Sequence, residues 1–297
     1  GYSSTLLRRK ASAVIIYLAR LLILTIVGYI VLYPFFYMLV TAIKDIDAML
    51  DVEHIWIPVT YSLKSFKEIF ELLDFGTALK QTFLVQISSA AIETFVCAFV
   101  AYGFARFKFK GKPICTFFLI LSLLVPIQMY SLSMSVNYRN LHLFNTPFVY
   151  WLPSLLGVGI RSGMMIFIYQ QFFVNLPKEL EDAAYIDGAG PVRTYFSIAL
   201  PSSSVVLVTV SVLSFVWHWN EYYLSSLYLS NKPTLSVSLY TFADNINAYY
   251  NGAASNTILT GPAIMAGCVM FVLPMIAFYL VLQRKFVSSI ANSGIVG

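Results

Sequence analysis

Charge is scarce in this sequence: lysine, arginine, aspartate and glutamate make up only 11% of its 297 residues. Ordinary soluble domains carry about 25%, so a water-soluble globule is excluded. Histidine and cysteine are scarcer, at three each. His54, His142 and His218 are scattered, and Cys97, Cys115 and Cys268 sit singly inside apolar runs. No metal-ligand spacing and no carboxylate pair within a span follows from them, so neither a catalytic nor a metal residue is assigned. The cysteines are small packing residues and say nothing about redox compartment. A phosphate-cradling G-x-x-x-x-G-K-[ST] is absent, and Gly157, Gly159 and Gly163 lie inside an apolar run without the strand-turn-helix setting of a nucleotide loop. Any ATP has to bind another chain.

What is present is apolar: 59% of residues are hydrophobic. A bilayer core of about 30 Å needs about 20 apolar residues in helical form, and runs without alternation argue against a barrel. Six runs meet this, near Leu21 to Ala42, Thr82 to Ala105, Ile114 to Val136, Phe148 to Phe173, Ser203 to Leu229 and Gly261 to Leu282. The fold class is therefore all-α, a polytopic membrane protein with six transmembrane helices and no room among these residues for a large soluble domain. The first run continues through Tyr33, Pro34 and Phe35 to Val40, too long for the apolar part of a cleaved signal peptide.

The net charge of +5 belongs to residues flanking these runs, which makes them topology signals and not a nucleic-acid surface. Eleven basic residues, among them Arg8, Arg9, Lys10, Arg106, Lys108, Lys110 and Lys112, fall on one set of connections, against six on the other, which also carries Asp45, Asp47, Asp51 and Glu53. The positive-inside rule then puts both termini in the cytoplasm. Three parts follow. Residues 1–80 are the N-terminal tail, first span and extracytoplasmic segment, with Phe66, Ile69, Phe70 and Leu73 at helical spacing. Residues 81–284 are a core of five spans, and 285–297 a cytoplasmic tail.

The cytoplasmic connection at 175–201 is the most informative. Pro177 suits a first helical turn, Glu179, Glu181 and Asp182 suit the positive end of a helix dipole, and Gly188 suits a C-terminal stop. Pro191 can open a second helix with Val192, Tyr195, Phe196 and Leu200 on one face until Pro201 breaks it. These residues make a helix-turn-helix knob that either meets a partner protein or folds under its own bundle.

Asp182, Ala183, Ala184, Asp187, Gly188, Ile198, Leu200 and Pro201 resemble the EAA loop of ABC importer permeases: E-A-A, then G, nine residues, and I-x-L-P. Asp182 stands where Glu is usual, with Glu181 before it. Four other stretches are similar to the maltose-type carbohydrate-uptake permeases, and to their six-span subunit: Ala101 to Lys112; Val125, Pro126 and Gln128 with Asn145 and Thr146; Trp219, Asn220 and Glu221; and the tail Leu282 to Gly297, which lacks a usual Lys near its end. The resemblance covers Tyr61 onward. It implies a type I ABC importer permease fold and a subunit of the bacterial cytoplasmic membrane, surrounded by lipid, that forms half of a translocation pathway. It also implies a second homologous permease, two ATPase subunits that bind ATP and Mg, and an extracellular sugar-binding protein, with no cofactor in this chain. ATPase coupling then falls to Glu181, Asp182, Ala183, Ala184, Asp187 and Gly188, and the connection Ser230 to Thr260, rich in Tyr and Asn, is expected to reach the binding protein. The solute that the resemblance implies is an oligosaccharide, with a peptide or polyol as the alternative.

Charges inside the apolar runs point to a pathway. A central charge costs about 2.5 to 3.5 kcal/mol on insertion scales, so Arg161 in the fourth run and Glu93 in the second each need a partner or water. For Glu93 a structural pairing, with Arg161 or a backbone carbonyl, is expected. For Arg161, among glycines able to unwind its helix, pairing and pathway stay open. Trp219, Asn220 and Glu221 in the fifth run, with His218 beside them, offer the aromatic faces and polar groups a sugar needs. The competing explanations are an interfacial aromatic belt and, for Trp219, structural packing. A membrane-embedded enzyme is the other class, and it lacks a constellation to act with.

Overall fold

The computed structural model describes residues 2–45, 56–57, 60–249 and 257–293, and side chains over 13–45, 56–57, 60–242 and 261–283. Among the described residues all regular elements are helical, with a single antiparallel bridge between Lys44 and Tyr61. The chain divides into two units, Gly1–Glu71 with Asp244–Met270, and Leu72–Ala243 with Phe271–Gly297.

The first unit begins with α1 (Tyr2–Ala42), whose apolar stretch Ala13–Ala42 has none of its most apolar window buried within the chain. A helix that is apolar on all sides and left uncovered suits lipid or another membrane protein. After the bridge comes α2 (Lys64–Leu72). Of the four apolar positions expected to form one face, Ile69 and Leu73 are buried while Phe70 is exposed.

In the second unit α3 (Phe75–Thr82) passes through a π-helical turn, Phe83–Ile87, into α4 (Ser88–Arg106). The result is one apolar rod from Phe75 to Arg106, longer than the expected Thr82 to Ala105, because Asp74 in a left-handed conformation (φ 42°) sets its start. The third expected span is not straight: α5 (Lys112–Leu124) and α6 (Gln128–Asn140) meet at 103°. Pro126 is the cause, since it drives the preceding Val125 into an extended conformation (ψ 114°) that ends α5. The fourth is interrupted, α7 (Phe148–Leu155) and α8 (Ser162–Asn175) being separated by an unwound stretch with φ +69° at Gly157 and +56° at Arg161. Arg161 therefore lies on the unwound segment and not inside a helix.

Short elements follow: α9 (Glu179–Ile186), α10 (Pro191–Thr194), a π turn Tyr195–Ala199, and α11 (Leu200–Ser202). The chain turns by 80° at Ser203 into α12 (Ser204–Trp219). The fifth span also stops early, at Asn220, before α13 (Tyr223–Tyr228). The connection expected from Ser230 to Thr260 contains a helix, α14 (Leu235–Tyr249), and the last element is α15 (Thr257–Ser293). Residues 250–256 of that connection and 294–297 of the tail lie outside the described residues. By length and composition three described helices can cross a membrane, or five if each bent pair counts as one span.

The core of the second unit lies between α4 and α8. Cys97, Ala98 and Ala101 of α4 are buried with Met165, Ile166, Tyr169 and Phe173 of α8. Small residues on one helix let large ones on the other approach its backbone, the usual way that helices pack without a hydrophobic driving force.

Candidate functional site

The coupling loop is built from the end of α8 to α11. In α9 the acids Glu179, Glu181 and Asp182 occupy the first turn, where the helix dipole favours negative charge. Its end is closed by Gly188 at φ +79°, with Gly188 N–H donating to the Tyr185 carbonyl (3.0 Å) and Ala189 N–H to the Ala184 carbonyl (2.9 Å). This is a Schellman-type stop. The next helix starts at Pro191, as the sequence predicts.

The six coupling residues divide between two faces. Glu181 and Ala184, one turn apart, are buried, whereas Asp182, Ala183, Asp187 and Gly188 are exposed. Glu181 is held by Arg106 at the end of α4: Nε donates to Oε1 at 2.9 Å, with both side chains under a tenth exposed. Arg106 Nη2 also donates to the Leu176 carbonyl at 2.6 Å, the residue that caps α8. Glu181 thus faces inward, an anchor behind the exposed Asp182 and Asp187. Leu180 and Tyr185 flank the buried stripe and are part-covered, at 45% and 40% exposed, whereas Ile186, on the opposite side, is 87% exposed.

The polar residues of the apolar helices form two separate groups. Glu93, Ser162 and His218 meet in a fully enclosed centre joining α4, α8 and α12. Ser162 Oγ donates to Glu93 Oε1, and His218 Nε2 lies 3.2 Å from Glu93 Oε2. The other imidazole nitrogen, Nδ1, is 2.9 Å from the Ser214 carbonyl, which can only accept, so Nδ1 carries a proton. Neither Nε2 nor Oε2 makes a hydrogen bond, so the two groups are joined there by proximity alone. The partner of Glu93 is accordingly His218 with Ser162, not Arg161. Gly159 leans on this centre so closely that a Cβ there would stand 2.8 Å from Glu93 Oε1.

Arg161 is exposed, with its guanidinium 5.0 Å from the Trp217 ring centre, and its charge reaches Glu221. Glu221 Oε1 accepts the Leu224 N–H at 2.7 Å and so caps α13. Asn220 is exposed and its side chain donates to the Val216 carbonyl at 2.8 Å. Trp219 has no accessible surface: it stacks on Phe215, touches Phe83 and Phe271, and donates Nε1–H to the Phe271 carbonyl at 3.2 Å. Trp219 therefore packs in the core, the structural alternative to lining a pathway. The sequence groups four pathway residues; the structure leaves Arg161 and Asn220 exposed, turns Glu221 to the start of α13 and buries Trp219. It adds Trp217, which the sequence signals only as one of several aromatic neighbours.

A cavity of about 430 Å³ opens beside the unwound segment, lined by Tyr130, Asn137, Tyr138, Ser154, Gly159 and Tyr228 among others. None of the four sequence-derived pathway residues reaches it. Glu221→Ala is expected to lose about 1 kcal/mol with the α13 cap, whereas Glu221→Gln keeps a carbonyl acceptor and should match wild type; thermal unfolding in detergent distinguishes the two.

Against known proteins, residues 94–292 match the family described as binding-protein-dependent transport system inner membrane component. The chain belongs to that family. It is a membrane permease component, and its relatives are permeases of ABC transporters. A probable ABC transporter permease protein of Bacillus subtilis, YurM, is 29% identical over 276 residues, 89% of this chain and 84% of that one. A probable starch degradation products transport system permease protein, AmyC, of Thermoanaerobacterium thermosulfurigenes is 26% identical over 259 residues, covering 86% and 89%. In fold the chain is similar to a chain from the crystal structure of a bacterial ABC transporter involved in import of the acidic polysaccharide alginate, with TM-score 0.76 at 20% identity over 93% of this chain and 98% of that one.

Proposed function

We propose that this chain is the six-span permease subunit of an ABC importer for an oligosaccharide, with both termini cytoplasmic. It pairs with a second, homologous permease, rests on two ATPase subunits that bind ATP and Mg, and receives solute from an extracellular binding protein. The observation that carries the coupling role is Ile186, 87% exposed on the outward side of α9, on a helix anchored from behind through Glu181. An uncovered apolar side chain on a short, anchored helix suits insertion into a cleft of a partner, and membership of a binding-protein-dependent transport family makes the ATPase that partner. The oligosaccharide is supported by the relative named for starch degradation products.

The unwound stretch before α8 supports a pathway near Arg161, since irregular backbone at membrane depth is tolerated only where protein buries it or a water-filled cavity meets it. Arg161, Asn220 and Glu221 supply the polar groups there.

Ile186→Asp places a charge in the centre of the docking face. It is expected to reduce recovery of co-expressed ATPase with the affinity-purified chain by at least about tenfold, the size of an interface hot spot, without changing membrane abundance. Full recovery would overturn the docking face. Uptake of radiolabelled maltodextrins by cells expressing the complete set of subunits tests the solute class, and uptake of peptides or polyols in their place would overturn it.

A further inference from the structure

Two polar contacts that the coupling surface does not explain lie at opposite stretches of the same helix. At the end of α4, Arg106 binds both Glu181 of α9 and the carbonyl of Leu176, the residue capping α8. Further up α4, Glu93 binds Ser162, the first residue of α8, and faces His218 of α12. About 20 Å of helix separates the two at 1.5 Å per residue. Both are enclosed, and both involve ionisable groups, which cost several kcal/mol to bury even when paired.

We propose that Arg106 and Glu181 are positioning residues that fasten the coupling helix to α4, and that α4 carries displacement of α9 to the unwound segment through Glu93. The proposal rests on α9 being the ATPase-docking element. The geometry favours a rigid connection. Arg106 offers a planar fork with donors in fixed directions, and here it spends them on two different elements, so α4, the end of α8 and α9 are tied at one point. Between Arg106 and Glu93 the helix has no proline and is packed along α8 by Cys97, Ala98 and Ala101, so it is not free to bend. Above, Gly159 touches the Glu93 carboxylate with no side chain between. A shift of α4 therefore bears directly on the unwound segment, where Gly157 and Arg161 hold left-handed conformations. Such residues are where a chain keeps two arrangements close in energy.

The test is a labelling experiment on the complex purified with its co-expressed ATPase. Val158 is exposed on the unwound segment, and Val158→Cys in a Cys115→Ser, Cys268→Ser background gives one reactive thiol, Cys97 being buried. With Arg106 and Glu181 intact, the maleimide labelling rate is expected to differ by about fivefold or more between the nucleotide-free and the ATP–Mg–vanadate-trapped complex, the lower end of usual coupling free energies. With Arg106→Gln or Glu181→Gln, compared at equal amounts of co-purified ATPase, the difference should fall below about twofold, and Arg106→Lys should retain part of it. Because one buried charge left alone can unfold a protein, Arg106→Met with Glu181→Met is the second variant: it removes both charges, and the proposal requires it to lose the labelling difference too. An unchanged difference in that double variant, or no difference with the pair intact, overturns the proposal. Loss of ATPase co-purification in the Ile186→Asp variant tests docking separately from the fastening.

Discussion

Gly159→Ala is expected to destabilise the folded permease by about 2 to 4 kcal/mol, the range of overpacking combined with disturbance of a buried polar pair. The added methyl would stand 2.8 to 3.1 Å from three atoms of the Glu93 carboxyl group. That group cannot swing aside: it is fully buried, it accepts the Ser162 hydroxyl, and its second oxygen faces His218. Relief has to come from the backbone of the unwound segment or from loss of the Ser162 and His218 contacts. The unfolding midpoint of the purified protein in detergent measures the effect. Gly76→Ala is the matched control, since nothing lies within 4 Å of a Cβ there and alanine is the better helix former; it should be neutral or slightly stabilising. Shortening the acid with Glu93→Asp should recover part of the loss in the Gly159→Ala background, a non-additivity expected only when the two groups touch. Strict additivity would show that the clash is not the cause.

Gly188→Val is expected to abolish uptake while membrane insertion continues, and for the opposite reason. A Cβ at Gly188 meets nothing within 4 Å, but the backbone sits at φ +79°, which costs an L-residue roughly 1 to 2 kcal/mol and a β-branched one more. The lowest-energy response is to release the turn, which swings the end of α9 and with it Tyr185 and Ile186 out of place. A loss of at least about tenfold in transport corresponds to about 1.4 kcal/mol, within that strain. Gly188→Asn is the informative companion, since asparagine visits the left-handed region more readily and should keep most of the activity. Wild-type uptake by the valine variant would sink the role assigned to this turn.

The two glycines show where sequence reasoning stops. Gly188 is legible because its need is local: a helix signal before it, a proline three residues on, and a turn that only a residue free at positive φ closes well. The apolar runs, the all-α class and the short helices at 179–186 and 191–194 are legible for the same reason, since each follows from neighbours along the chain. The likeness in the connection at 175–201 placed the chain near its family before any contact was known. Gly159 is indistinguishable in sequence from Gly157 and Gly163, because the group that demands its small size, Glu93, comes from another helix.

The same limit explains the corrections. The sequence set Trp219, Asn220 and Glu221 side by side and left Trp219 open between lining and packing; adjacent helical residues point about 100° apart, and here they go to an aromatic core, an exposed helix end and a cap. Glu181 and Asp182 divide in the same manner, one turned to Arg106 and the other outward. Gly157 and Gly159 stood among glycines able to unwind the fourth run, whereas the third run was read as continuous and is bent by 103° at Pro126. By itself the sequence determined that this protein lives in a membrane, is helical, and carries a helix-turn-helix element between its fourth and fifth apolar runs, since hydrophobicity and local turn chemistry are properties of neighbouring residues. The tertiary structure alone decided that Glu93 would answer His218 and Ser162, and that Arg106 would answer Glu181, because a buried ionisable group accepts whichever partner the packing of separate helices brings within reach.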